Sequence, residues 1–311
     1  MNILITGGGG LVGQAMQKIQ DEYIFDDYQF VFPSRQDYDL LNMLQVESMM
    51  TDLKPDWVIH LAANVGGLYK NMNHKVQMLE DNLLMNYNVL RSCHEANVQN
   101  FIGCLSTCVF PDDVMYPIDE TMLHSGAPHS SNDAYAHAKR MLEIHCNAYN
   151  QMYDRNYNCI IPTNVYGPHD NYNLEDSHVI PGLIHRCYIA KRDGKPFVVR
   201  GTGQVLRQFI HAEDLARATL QLMDKIDQDN VIIADTEEEV AIEDIARLIA
   251  KEFDHVDDMI FDDTYSDGQY KKTADNTKMM NLLPDFKFLD INIGVRDTIK
   301  HFIENYDTIR K

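Results

Sequence analysis

The sequence is short of cations. Against 47 aspartates and glutamates stand 27 lysines and arginines, a formal charge of −20, and no basic run interrupts the excess. A nucleic-acid groove or a patch for an anionic membrane needs a local surplus of Lys and Arg, so both partners are excluded. An anionic ligand would have to find a local basic pocket. Cysteine is scarce too: six thiols, at 93, 104, 108, 146, 159 and 187, with no CxxC pair. That spacing gives neither a disulfide framework nor a zinc site; it reads as reduced thiols in a cytoplasmic compartment, with no metal. No apolar run approaches the roughly 18 residues of a membrane-spanning helix. The start, MNILITGGGG, enters a strand pattern without the basic region or cleavage site of a signal peptide. A Pro/Gly/Ser linker, a repeat and a low-complexity tract are all missing, so a second lobe must be interleaved with the first.

What is present is alternation. NILIT (2–6), FVFP (30–33), WVIHLAA (57–63), FIGCLS (101–106) and NCIIPTN (158–164) read as strands. Helical patterns start at Leu11 and cover about 43–53, 75–96 and 134–151. Continuous apolar strands between amphipathic helices make a parallel sheet covered on both faces. The expected fold class is α/β: a Rossmann-type doubly wound parallel sheet with a smaller interleaved α/β substrate-binding lobe. Residues 1–165 form the dinucleotide-binding part, with a returning segment near 208–235, and 166–207 with 236–311 form the second lobe.

TGGGGLVG lies between the first strand and the first helix, with Gly7, Gly10 and Gly13 spaced three apart and Gly8, Gly10 and Gly13 in the G-x-G-x-x-G register. Such glycines allow a tight turn, close approach to a pyrophosphate and close helix–strand packing, while the helix N-terminus offers free N–H groups to the anion. NAD binders place Asp or Glu at the end of the second strand. Here FPSRQDYDL puts Ser34 and Arg35 there, a hydroxyl and a guanidinium suited to a 2′-phosphate, which favours NADP.

DAYAHAKRMLEIH sets Tyr135 and Lys139 at i and i+4 on one helix face. Beside a nicotinamide, Lys139 can hold ribose hydroxyls and its charge can favour a tyrosinate, making Tyr135 a proton donor or acceptor. Ser106, at the end of the fourth strand, can hydrogen-bond the same carbonyl oxygen. Cys104, in GCLSTCVFP, reads as packing; Cys108 is either packing or acid–base chemistry.

The glycine turn, this serine and YxxxK resemble the extended short-chain dehydrogenase/reductase family of nucleotide-sugar enzymes. Further stretches are similar to its branch of GDP-4-keto-6-deoxy-D-mannose 3,5-epimerase/4-reductases. They are HLAANVGGL (60–68), CLSTCVFP (104–111), YPIDET (116–121), IPTNVYGPHDN (161–171), SHVIPGLIHR (177–186), RQFIH (207–211) and SDGQYKK (266–272). The resemblance implies NADPH as cofactor and a GDP-sugar as substrate, epimerised at C3 and C5 and then reduced at C4 to GDP-L-fucose. It implies Cys108 as epimerisation base and His178 as acid, with Ser106, Tyr135 and Lys139 serving the reduction. To the cofactor wall it adds Leu11, Val12, Ala62, Ala63, Pro162, Asn164, Val165 and His178. To the substrate wall it gives Arg186, Arg207, Asp267 and Lys272, with Arg200 able to stack on the base by its guanidinium. It also implies a homodimer paired through the helices after Lys75 and Ala134.

Two departures stand out. Arg200 occupies a position where the family commonly has tryptophan, and the early arginine of some members is replaced by glycine. Three other readings compete. A 4,6-dehydratase would carry acidic residues where Thr107 and Cys108 stand. A 4-epimerase would leave Cys108 and His178 idle. A non-catalytic NADP-binding sensor would have little use for Tyr135 and Lys139. His169, in GPHDN, competes with His178 and reads as shaping its loop.

Overall fold

The apolar runs become strands where both faces of each run can be covered. The computed structural model describes residues 1–23, 28–237 and 239–311. In chain order it has β1 (Asn2–Thr6), α1 (Leu11–Ile19), β2 (Gln29–Val31), α2 (Met43–Leu53), β3 (Trp57–His60), α3 (Leu68–Asn73), α4 (Lys75–Glu95), β4 (Asn100–Cys104), α5 (Asp133–Tyr153), β5 (Asn156–Pro162) and β6 (Asn164–Tyr166). There follow α6 (Val179–Asp193), β7 (Phe197–Arg200), β8 (Leu206–His211), α7 (Ala212–Leu222), β9 (Asn230–Ile233), β10 (Glu239–Ala241), α8 (Ile242–Glu252), β11 (Met259–Asp262), α9 (Thr277–Leu282) and α10 (Ile291–Glu304).

Six strands form one sheet in the order β2-β1-β3-β4-β5-β9, and every pairing in it is parallel. Alternate side chains of these strands go to opposite faces. Leu4, Val58 and Phe101 meet Val46, Met49, Val89 and Leu90 of α2 and α4 on one side. Ile3, Ile5, Ile59 and Ile102 meet Ala15, Met16 and Ile19 of α1 and Leu215 and Leu222 of α7 on the other. The doubly wound parallel sheet expected from the sequence is therefore present. The order in which successive strands are added reverses between β1 and β3, which opens a crevice at their carboxyl ends where ligands of such sheets bind.

The second lobe has its own core. Ile180, Leu183, Ile184 and Cys187 of α6, Phe197 and Val199 of β7, Ile245 and Ile249 of α8, and Val295 and Phe302 of α10 are buried together. It carries a three-stranded sheet, β10-β8-β6, and a two-stranded sheet, β11-β7.

Boundaries differ from the sequence expectation in three places. NCIIPTN splits at Thr163: β5 stays in the large sheet, and β6 leaves it to pair with β8. Within the segment expected to return near 208–235, β8 joins the small sheet, whereas α7 and β9 pack on or enter the large one. Met279, Leu283, Phe286 and Phe288, expected in the second lobe, pack against the large sheet's second face. Apolar periodicity specifies that a segment is covered, not what covers it. Among the described residues no helix is long and apolar enough to cross a membrane.

Candidate active site

One cavity of about 890 Å³ runs from the glycine turn to the second lobe, and every candidate site residue named from the sequence lines it. Its floor is the crevice between β1 and β3. Gly7 has φ +77°, and a Cβ there would lie 2.7 Å from Ala62 N. At Gly13 a Cβ would lie 2.5 Å from Gly8 Cα and 2.6 Å from Gly8 O. These backbones touch because neither glycine carries a side chain. The N-cap of α1, Gly10, makes no side-chain cap bond. The first N–H groups of α1 are thus left for a phosphate, and the cradle fits a dinucleotide pyrophosphate. Behind it, Thr6 Oγ1 bonds His60 Nδ1 at 2.7 Å, and Asn86 meets the other ring nitrogen at 3.0 Å. Burial, with Lys139 nearby, pushes His60 down to about 3, so it is neutral.

Ser34 and Arg35 lie beyond the end of β2. The Ser34 hydroxyl donates to Asp37 at 2.7 Å, and Arg35 is exposed, 3.8 Å from Asp39. An exposed, loosely held guanidinium is free to meet a 2′-phosphate. Ala62 and Ala63 just after β3, Pro162 at the end of β5, and Asn164 and Val165 in β6 complete this part of the cavity.

The reactive groups sit where β4 ends. The strand stops at Cys104, and Ser106 caps a short 3-10 turn, Thr107–Val109, by accepting from Cys108 N at 3.4 Å. That turn lays Cys108 against Met78, Tyr135 and Ala136. Ser106, Cys108 and Tyr135 are thus brought to one place from two elements. Lys139 Nζ donates to Cys104 O at 2.7 Å and lies over the Tyr135 ring, 5.8 Å from its centre. Burial disfavours the anion at both acids. Tyr135 is held well above its ordinary range, first by desolvation and then by Cys108 and Cys104. The Cys108 thiol is also raised by burial, against the opposing pull of Lys272. Burial thus favours the protonated phenol, the form that donates a proton.

His178 caps α6 and is partly exposed, its Nδ1 4.0 Å from Asp170. His169 sits at φ +68° with its ring 4.3 Å from that of His301, at the cavity's edge.

The second lobe contributes the cations an acidic chain must supply locally. Desolvation, then repulsion from Arg200, pushes Arg186 down to about 10. Burial does the same to Arg207, also to about 10, while Arg207 donates to the carbonyls of Leu206, Gln269 and Tyr270. Arg200 lies over two rings that meet edge-on, 5.4 Å from Tyr69 and 4.8 Å from Tyr265, and pairs with Glu175 at 3.0 Å. Asp267 is engaged by the GTG turn, accepting from Thr202 N at 2.8 Å and from its hydroxyl at 2.7 Å. Lys272 lines the cavity beside these groups.

The NAD dependent epimerase/dehydratase family matches residues 3–234. The chain belongs to that family. It is 45% identical to the GDP-L-fucose synthase of Dictyostelium discoideum, over 99% of this chain and 97% of that one. It is 44% identical to the probable GDP-L-fucose synthase of Drosophila melanogaster, over 99% of both. A solved GDP-L-fucose synthetase from Naegleria fowleri, bound to NADP, superimposes with a TM-score of 0.93 at 40% identity, covering 100% of this chain and 96% of that one.

Four groups of this epimerase/dehydratase family member escaped the sequence reading. Asp170 is buried, with Oδ2 unpartnered and its carboxyl raised by desolvation, and it is the acid nearest His178. Its place beside His169 in GPHDN was the available signal. Asn132, just ahead of Tyr135, points a buried, unpartnered Oδ1 and lines the cavity. Tyr69 and Tyr265 gave no signal, because only folding brings them to Arg200.

Proposed function

We propose that this chain is an NADPH-dependent enzyme converting GDP-4-keto-6-deoxy-D-mannose to GDP-L-fucose by epimerisation at C3 and C5 and reduction at C4. The observation that carries the reading is the packing of Cys108 against Tyr135 at the mouth of a dinucleotide crevice that continues to Arg186 and Arg207. A plain 4-epimerase needs no thiol there. The full-length likeness to GDP-L-fucose synthases supports the same substrate.

The chemistry follows from the ketone. Its oxygen, hydrogen-bonded by Ser106 and Tyr135, can accept negative charge, which makes the hydrogens at C3 and C5 removable. Cys108 takes a proton from one face of the sugar; His178, oriented by Asp170, returns one from the other. When bound, NADPH supplies the two electrons and the hydrogen that reduce C4. Tyr135 then protonates the C4 oxygen, a role suited to a phenol held neutral by burial. Lys139 holds the ribose, and Arg186 and Arg207 meet the diphosphate. In this reading residues 1–165 with the returning α7 and β9 bind the cofactor, and the second lobe binds the GDP-sugar.

The pairing surface we propose is α4 against α5 of a second copy, where Leu84, Tyr87, Met141 and Ile144 are exposed. The six free thiols favour a reducing, cytoplasmic setting. The decisive test adds GDP-4-keto-6-deoxy-D-mannose to protein and NADPH, follows loss of the reduced nicotinamide's absorbance, and identifies the product sugar by NMR. A GDP-L-fucose product is expected; no turnover at any pH, or a product keeping the manno configuration at C3 and C5, would overturn the reading.

A further inference from the structure

Cys108 poses a problem that the proposed chemistry does not resolve. It is the base in that reading, yet burial raises its thiol and therefore disfavours the thiolate. A nearby cation has to offset that burial. Lys139 is committed to Cys104 O, and Arg140 donates to the carbonyls of Val109 and Gly126. Lys272 differs. Its neighbours in sequence are pinned to the chain that follows the Cys108 turn: Ile118 N donates to Thr273 O at 2.8 Å, Asp275 N to Ile118 O at 2.8 Å, and the Tyr116 hydroxyl to Lys271 O at 2.6 Å. Along this segment the two lysines part. Lys271 pairs with Glu239 at 3.1 Å, whereas Lys272 enters the cavity, and among the described residues no carboxylate or carbonyl holds its ammonium.

We infer that Lys272 is a positioning residue for the epimerisation base: extended into the cavity that Cys108 also lines, its ammonium offsets part of the burial that disfavours the Cys108 thiolate. This deepens the proposed function and rests on it for the sugar chemistry. The S–H bond breaks and its proton passes to water, leaving the thiolate beside the ammonium. The thiolate then forms a new S–H bond with the proton from C3 or C5; the C–H electron pair becomes a carbon–carbon double bond to C4 as the C4 carbonyl π pair moves onto its oxygen.

The electrostatics agree. Lys272 exerts the largest charge effect on Cys108, and Cys108 the largest on Lys272. Lys139 and Arg140 also act on Cys108, and Cys108 on Tyr135; Arg207 and Asp112 act on Lys272. Burial pushes Lys272 down to about 8, so its charge is present at neutral pH and fades above it.

The test titrates the thiol without any sugar. Alkylation of Cys108 by iodoacetamide is followed against pH by mass spectrometry, with Cys108→Ser as the blank, in wild type, Lys272→Met and Lys272→Arg. The midpoint is expected to rise by about one pH unit or more in Lys272→Met and to return most of the way in Lys272→Arg. NADPH affinity in all three reports that the fold is intact. In heavy water, deuterium entry at C3 and C5 is expected to fall at least tenfold in Lys272→Met, with its pH optimum moved upward. An unchanged alkylation midpoint in folded Lys272→Met overturns the inference. A shifted midpoint with no deuterium entry in the wild type would support the lysine–thiol pair and count against the proposed function instead.

Discussion

Gly13→Ala is the sharpest test of the crevice. Alanine would raise the helix propensity of α1 by about 1 kcal/mol, so on local grounds the change should help. The added methyl, however, would lie 2.5 Å from Gly8 Cα, 2.6 Å from Gly8 O and closer still to Gly7 O. All three are backbone atoms of the turn, so no side chain can swing aside. Overpacking costs about 1–3 kcal/mol and more where backbone must move. The expected net loss is about 1–2 kcal/mol, or a Tm lower by about 2–5 °C in a chain of this size. Relief of the clash opens the turn, and the NADPH Kd is expected to weaken at least tenfold, which is about 1.4 kcal/mol. Gly9→Ala is the internal control, because a Cβ at Gly9 meets nothing within 4 Å. Its Tm should stay within about 1 °C of wild type, as expected for a change that touches nothing. The assays are thermal unfolding of cofactor-free protein and fluorescence titration with NADPH. Wild-type Tm and affinity in Gly13→Ala, or an equal loss in Gly9→Ala, would refute the reasoning.

Cys108→Ser should abolish deuterium entry at C3 and C5 while keeping NADPH affinity; unaltered exchange would remove the thiol from the epimerisation. Tyr135→Phe should slow C4 reduction by on the order of 10²–10⁴-fold with little effect on cofactor Kd, and undiminished single-turnover reduction would refute its role. Asp214, which accepts from Leu289 N at 2.8 Å, is raised by burial to about 6. A folded-state pKa above the ordinary carboxylate value makes the ionised form a liability, fully felt above about pH 6 and absent well below the unfolded value near 4. Asp214→Asn should therefore stabilise by about 1–3 kcal/mol at pH 8 in urea unfolding, and the gain should vanish as pH falls toward 4. A gain independent of pH would contradict that sign.

The sequence made the sheet legible because its strands are buried on both faces and so read as unbroken apolar runs. NILIT and WVIH could be located from composition alone. The glycine turn was legible for a similar reason: strand, turn and helix are consecutive, and the close contacts of Gly13 are within that unit, although those of Gly7 are with Leu61 and Ala62 beyond it. Tyr135 and Lys139 were legible as a pair because one helix fixes their spacing. Their electrostatics were not, since the direction of the Lys139 ammonium depends on the carbonyl of Cys104, which arrives on another element.

Strand partners were likewise out of reach. Thr163 divides one apolar run between two sheets, and β8 chose β6 and β10 because register and pairing are settled by distant chain. The Arg200 stack on Tyr69 and Tyr265 and the meeting of Lys272 and Cys108 in one cavity belong to the same class. The sequence by itself determined the fold class, the crevice and the inventory of reactive groups, since each depends on neighbours along the chain. Tertiary structure alone decided which cation faces which acid and how deeply each is buried, because charge interactions and desolvation depend on distance in space.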